Sequence, residues 1–193
     1  MSGEVTPGQT VGPFFHLGLP YRGGNELVPA THPGVLRLHG RVLDGAGDPV
    51  PDALLELWQA DPAGRVSREP GSLRRDGWTF TGWGRAGTDA AGHYWFSTVA
   101  PGAAEPGRAP FFALTVFARG VTDRLYTRAY PPADAAVLAA DPLLASLPED
   151  RRATLLATPD DSGSRAGLRF DVRLQGGGET VFLAFPRNRE PWT

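Results

Sequence analysis

Residues 35–59, VLRLHGRVLDGAGDPVPDALLELWQ, contain two predicted strands separated by a turn. In residues 35–43, leucine and valine alternate with arginine and histidine, which is the period of a strand with one buried face. The segment DGAGDP at residues 44–49 has the glycine, aspartate and proline that turns require. The apolar run ALLELWQ at residues 53–59 then predicts the second strand.

Four further segments have the same strand character, and LRFDVRL shows it most clearly, because every second residue in it is apolar. The triple glycine at residues 176–178 predicts a turn before the last strand. Residues 61–87 are polar and rich in glycine and arginine, without a period, so we expect a long loop there. The four predicted strands are residues 93–99, 110–119, 168–174 and 179–185.

Helical patterns are confined to residues 133–140 and residues 149–157. Short strands with frequent turns, and no regular alternation of strand and helix, predict an all-β protein built as an antiparallel β-sandwich with short peripheral helices. A chain of 193 residues suits a single domain, residues 1–193. The first 34 residues are rich in glycine, proline and threonine, so we expect an extended N-terminal arm beside a sandwich body at residues 35–193.

The composition excludes several classes of function. The formal net charge is −2 and no basic stripe is present, so a nucleic-acid partner is not expected. Cysteine is absent, which removes disulfides and thiolate metal sites. The sequence shows neither a leader-like start nor an apolar run near the roughly 20 residues that span a bilayer, so a cytoplasmic protein without a membrane partner is expected.

The residues by themselves do not predict a metal site. The four histidines and four tyrosines are scattered, with none of the spacings that aim two ligands at one point. His39 is interpreted as a polar-face residue of its strand, beside Arg37 and Arg41. Nucleophile and phosphate-loop motifs are also missing, so the chemistry has to be inferred in another way.

Several motifs together carry a family resemblance. They are GQTVGPFFHLGL (8–19), LRLHGRVLDGAGDPVPDALLELWQADPAGR (36–65), GWGRAGTDAAGHYWFSTVAPG (82–102), PFFALTVFARGVTDRLYTRAY (110–130) and RFDVRLQGGGETVFLAF (169–185). With this combination the chain resembles the intradiol ring-cleavage dioxygenases, and in particular the two-chain enzymes that act on protocatechuate. The resemblance covers most of the chain and implies the β-sandwich fold of that family.

The same resemblance implies where a metal would be bound in other family members. Their ferric ion is held by two tyrosinates and two histidines, a hard ligand set that suits Fe(III). The equivalent positions here are Val66, Ala104 in the Ala103-Ala104 turn, Phe111 and Ala113, and none of these side chains can donate a lone pair. The resemblance therefore implies that Fe(III) is bound by a partner chain and that this chain holds no metal and no catalytic residue of its own.

Two-chain members of the family pair an iron-binding β subunit with a homologous iron-free α subunit that lends residues to the active site. The resemblance to the α type implies that Thr10, Gly12, Pro13 and Arg119 line the substrate pocket of the β partner. The planar fork of Arg119 would suit the carboxylate of protocatechuate. The alternative for Arg119 is a strand-end arginine that faces solvent or forms an ion pair.

The leading hypothesis is an enzyme subunit of aromatic catabolism. With its β partner it would use O2 to cleave protocatechuate to 3-carboxy-cis,cis-muconate, within a large αβ hetero-oligomer. Two other hypotheses are a non-enzymatic β-sandwich module for binding or assembly and a complete dioxygenase with substitute ligands. The retained QTVGP and FARG motifs favour the enzyme subunit, because a freestanding module has no need of them.

Overall fold

The computed structural model describes residues 10–12, 14–69, 76, 78–160, 162 and 166–185. Two sheets pack face to face with a few short helices at the edge, which confirms the predicted β-sandwich. The strands are β1 (Val35–Leu43), β2 (Leu54–Trp58), β3 (Trp83–Gly87), β4 (His93–Val99), β5 (Phe112–Phe117), β6 (Leu125–Ala129), β7 (Thr158–Asp160), β8 (Gly167–Arg169) and β9 (Val172–Arg173). The helices are α1 (Phe15–Gly18), α2 (Ala135–Ala140), α3 (Pro142–Ala145) and α4 (Glu149–Ala153).

The first sheet has the order β4-β1-β8-β7, and β9 also pairs with β1. Its main pair is antiparallel and joins β1 to β4, with Leu38 opposite Phe96. The short strands β8 and β9 run parallel to β1, so this sheet is mixed. The segment 168–174, predicted as one strand, is interrupted at Phe170 and Asp171, because the Asp171 carboxylate accepts the hydrogen bond of the Arg41 amide at 2.9 Å.

The second sheet has the order β3-β2-β5-β6, and every pair in it is antiparallel. Leu57 on β2 faces Leu114 on β5, and both side chains point toward the first sheet. The core lies between the two sheets, and its largest fully buried side chains include Leu38, Phe96 and Phe112. Because side chains alternate along a strand, the residues between these core positions face outward.

Part of the predicted arm belongs to this core. Leu27 is 4% exposed and packs within the main hydrophobic cluster, and the Leu27 amide donates to the carbonyl of Ser97 at 2.8 Å. The expectation that the first 34 residues stay outside the core is therefore wrong at Leu27. An apolar pair, Leu27 and Val28, in a polar segment was too short a signal to separate from the rest of the arm.

One loop prediction and one strand prediction are wrong for physical reasons. Strand β3 lies within residues 61–87, which were predicted to form a loop. The strand was not predicted because its inward residues, Gly84 and Ala86, are too small to produce a visible apolar period. Residues 179–185 form no ladder, because this segment crosses from one sheet to the other. Near its start Thr180 bonds to Arg173 of the first sheet, and the Leu183 amide then donates to Tyr126 of the second sheet at 2.7 Å.

The helices occupy the predicted regions but are shorter and more broken. Asp141 ends α2 and caps α3, since its carboxylate accepts the amides of Leu143 and Leu144. Helix α4 covers only the first half of the predicted segment 149–157. No helix among the described residues is long and apolar enough to cross a membrane.

The close approach of Gly40 to Phe170, where the strand is interrupted between β8 and β9, provides a test of this fold. A Cβ atom at Gly40 would lie 1.9 Å from the Phe170 carbonyl oxygen, so we expect Gly40→Ala to lower the free energy of unfolding by about 3 kcal/mol. Denaturant unfolding measures the loss. The matched control is Gly177→Ala, where the added methyl group meets no atom within 4 Å. Equal effects of the two substitutions would contradict the packing of β1 against Phe170.

Candidate functional site

The candidate site lies on the outward face of the four-stranded sheet. Ala113 of β5 pairs with Trp58 of β2 on one side and with Arg128 of β6 on the other, so these three side chains share that face. Two residues before Ala113 and just ahead of β5, Phe111 packs beside Tyr130. The rings of Phe111 and Tyr130 are 5.9 Å apart, as this arrangement requires.

The remaining predicted ligand positions join this end of the sheet. Val66 forms an isolated bridge with Ala60. The Ala103-Ala104 turn lies beside Gly64, because a Cβ atom at Gly64 would be 2.2 Å from the Ala103 carbonyl oxygen. Gly64 also has a φ of 81°, a conformation that favours glycine. Val66 thus lies beside Ala60, two residues after the Trp58 that pairs with Ala113, and the Ala103-Ala104 turn lies beside Gly64.

The residues at these positions do not fit a ferric ion. Val66, Ala104, Phe111 and Ala113 have only carbon atoms in their side chains, whereas Fe(III) prefers oxygen and nitrogen donors. Among the described residues, no group of three or more histidine, aspartate or glutamate side chains is arranged to hold a metal. Iron chemistry therefore cannot be assigned to this end of the chain's own sheet.

A guanidinium occupies this region instead. The Cζ atom of Arg128 lies 3.9 Å from the centre of the Phe111 ring, a close cation–π contact. One Arg128 nitrogen donates to the Tyr130 hydroxyl at 3.3 Å, and this hydroxyl donates to Asp141 at 3.2 Å. Asp141 is completely buried and also accepts the Ala109 amide at 3.2 Å.

The buried Tyr130 hydroxyl connects the guanidinium to the carboxylate of Asp141. Burial raises the pKa of Tyr130, while the hydrogen bond and positive charge of Arg128 oppose that rise. Tyr130 stays protonated at neutral pH and can therefore donate to Asp141 while accepting from Arg128. Arg128 is thus held by the face of the Phe111 ring and by hydrogen bonds that run through the Tyr130 hydroxyl to the Asp141 carboxylate.

The arm contacts the FARG segment. The Thr10 hydroxyl oxygen accepts a hydrogen bond from the Gly120 amide at 3.0 Å, directly after Arg119. Thr10 and Val11 also line a groove of about 220 Å³ with residues 117–118 and 121–124. Gly12 is exposed, and a Cβ atom there would meet nothing within 4 Å. Pro13, the other arm residue predicted to line the pocket, lies outside the described residues.

Arg119 forms an ion pair with Asp52. The carboxylate side chain is 7% exposed, whereas the arginine side chain is 58% exposed. The buried acid therefore holds one side of the guanidinium while much of the arginine remains open to solvent or a partner. Both sequence interpretations of Arg119 remain compatible with this geometry, so its role in a substrate pocket stays a prediction.

Sequence reasoning missed two of these residues as contributors to the site. Asp52 lies in the turn before β2, and nothing local indicates that it pairs with Arg119 across the sheet. Nothing local to Arg128 indicates a place in the site either, because its proximity to Phe111 depends on the pairing of β5 with β6. Strand β6 was not predicted, since its inward Thr127 interrupts the apolar pattern.

Comparison with known proteins defines the class of this protein. A family model described as Dioxygenase matches residues 14–176. The dioxygenase domain of a dioxygenase–carbohydrate-binding fusion from Streptomyces sp. SirexAA-E superimposes with a TM-score of 0.56 at 28% identity, covering 89% of this chain and 99% of that one. The chain therefore belongs to the intradiol dioxygenase family.

Curated relatives narrow the position within the family. The chain is 42% identical to the protocatechuate 3,4-dioxygenase alpha chain of Burkholderia cepacia, over 93% of its own length and 97% of that protein. It is 36% identical to the beta chain from the same organism, over 71% of its length and 63% of that protein. The higher identity and nearly complete coverage place it with the α-type chains.

The bond between Thr10 and Gly120 gives a test of arm docking. Thr10→Val removes the acceptor at nearly constant volume, and a typical hydrogen bond contributes about 1 kcal/mol, so we expect roughly fivefold faster hydrogen exchange at the Gly120 amide. The control Thr10→Ser keeps the hydroxyl and should leave exchange near that of the unsubstituted chain. Equal exchange in both variants would show that this bond does not hold the arm.

Proposed function

We propose that this chain is the iron-free subunit of a two-chain dioxygenase that uses O2 to cleave protocatechuate between its hydroxylated carbons. The product would be 3-carboxy-cis,cis-muconate, an intermediate of aromatic catabolism. The observation that carries the proposal is the nearly full-length similarity to an α chain in a protein whose four predicted ligand positions contain only Val, Ala and Phe. Such a chain needs a metal-bearing partner to take part in this reaction.

A homologous β-type chain is the proposed partner, and it would hold the ferric ion. This chain's similarity to a β chain supports a pair of related folds, as expected when one ancestral chain was duplicated and one copy lost its ligands. The metal would supply the Lewis-acid and redox chemistry that ring cleavage requires. We also propose that several αβ pairs assemble into a large hetero-oligomer in the cytoplasm.

The contribution of this chain would be a set of residues at the partner's substrate pocket. Thr10, Gly12 and Pro13 of the arm, together with Arg119, are proposed to line that pocket. The Thr10–Gly120 bond supports this, because it fixes the arm beside Arg119 so that both can reach the same neighbouring surface. The buried Asp52 would orient the Arg119 guanidinium and leave its remaining donors for the substrate carboxylate.

Reconstitution with a β partner tests the proposal directly. The chain is purified alone and after co-expression with a β chain, and iron content, visible absorbance and protocatechuate turnover are measured. We expect iron and turnover only in the co-expressed complex, because this chain lacks the ligands. Iron-dependent turnover by the isolated chain would contradict the proposal. A chain that neither binds the β chain nor alters its turnover would instead be a non-enzymatic binding module.

Arg119 has its own test in the reconstituted complex. Arg119→Ala should raise the KM for protocatechuate by roughly tenfold to a hundredfold, the loss expected for a charged hydrogen-bonded pair. Catechol, which has no carboxylate, should be turned over with an unchanged KM. Steady-state kinetics on both substrates measures the difference.

Two control variants separate binding from stability. Arg119→Ala leaves the Asp52 carboxylate without its cation, so the double variant Asp52→Asn/Arg119→Ala removes that buried charge as well. Arg37→Ala changes an exposed arginine on the other sheet and should alter neither KM. Equal losses for protocatechuate and catechol would exclude a carboxylate-binding role for Arg119.

A further inference from the structure

We infer that Arg128 is a resident cation in the vacated metal centre of this chain, and that its charge weakens the binding of any metal ion there. The inference relies on the proposed function only for assigning Phe111 and Ala113 to ligand positions. It goes beyond ligand loss, because it predicts that restored ligands bind a metal ion more weakly while Arg128 is present. The Arg128 guanidinium occupies the space beside these two positions.

The position of Arg128 is the first support. Its strand pairs directly with β5, and Arg128 is the cross-strand partner of Ala113. Cross-strand partners have Cβ atoms about 5 Å apart on the same face of a sheet. The guanidinium reaches along that face to lie 3.9 Å from the centre of the Phe111 ring. It therefore spans both positions at which other family members are expected to carry histidine.

The surroundings of Arg128 are the second support, because in the described part of the chain the guanidinium is held by an aromatic ring and a hydroxyl rather than by a directly paired carboxylate. The Phe111 ring presents its negative face to the guanidinium. The Tyr130 hydroxyl accepts a hydrogen bond from Arg128 and donates one to the fully buried Asp141 carboxylate, so it links the cation to a negative charge. Asp141 cannot move toward another cation, since backbone amides of α3 and Ala109 also bind its oxygens.

In this geometry the positive charge of Arg128 repels a metal ion bound nearby. A doubly charged metal ion held by imidazoles at positions 111 and 113 would lie a few ångströms from the guanidinium. Repulsion at such a distance, even with strong solvent screening, weakens binding by at least about tenfold.

A two-histidine site provides the test with this chain alone. The variant Phe111→His/Ala113→His introduces two imidazoles two residues apart, one within β5 and one just ahead of it. Cu²⁺ is the probe because it binds imidazole more tightly than other first-row divalent ions. The same pair is then combined with Arg128→Leu, which removes the charge but keeps apolar bulk. Isothermal titration gives the Cu²⁺ affinity, and the unsubstituted chain reports binding by the four native histidines.

We expect an additional Cu²⁺ site that is at least about tenfold tighter when Arg128 is replaced by leucine. The combination with Arg128→Lys, which keeps a positive charge, should bind as weakly as the variant that retains Arg128. Arg128→Gln is a second neutral variant that can still donate to Tyr130, and it replaces the leucine variant if thermal unfolding shows that leucine disrupts the fold.

Two outcomes overturn the inference. One is equal Cu²⁺ affinity with and without the charge at position 128, and the other is the lack of an additional site in every variant. Neither outcome bears on the proposed function, because no partner chain, iron or turnover enters the measurement. Failure of the reconstitution would in turn leave the charge exclusion intact.

Discussion

The antiparallel pairing of β5 with both β2 and β6 is the constraint on which the rest of the structure depends. Its register places Leu114 against Leu57 in the core and, by alternation, sends Ala113 outward between Trp58 and Arg128. A shift of one residue would expose the core leucines and bury the guanidinium, and both changes are costly. The apolar contacts that stabilise the sandwich therefore also fix which side chains meet at the candidate site.

A second feature connects the site to the helices at the edge of the sandwich. Asp141 caps α3, bonds to Ala109 and accepts the Tyr130 hydroxyl, which in turn contacts Arg128. A fully buried carboxylate is stable only when its oxygens are bonded, and here every bond that satisfies it also fixes a neighbouring element. This end of the sheet is thus held by hydrogen bonds and a cation–π contact.

The fold was predictable wherever one apolar face repeats over several residues. Strands β1 and β4 have the predicted bounds, because large core-facing side chains recur at alternate positions, Leu36 and Leu38 in β1 and Tyr94 and Phe96 in β4. Strand β3 was missed because its inward residues are glycine and alanine. Strand β6 was missed because its inward Thr127 is polar, and this residue can be buried only because its hydroxyl donates to the Val181 carbonyl. In both strands the core position is filled by a residue type that carries no hydrophobic signal.

The sequence by itself determined the residue types at the site, and with them the absence of metal-donor atoms at Val66, Ala104, Phe111 and Ala113. It also determined the sandwich class, because alternation over short strands is a local property of the chain. Only the tertiary structure decided that Arg128 lies over Phe111 and that Asp52 holds Arg119. Those contacts join residues from different strands and turns, and they exist only once the sheet has selected its register.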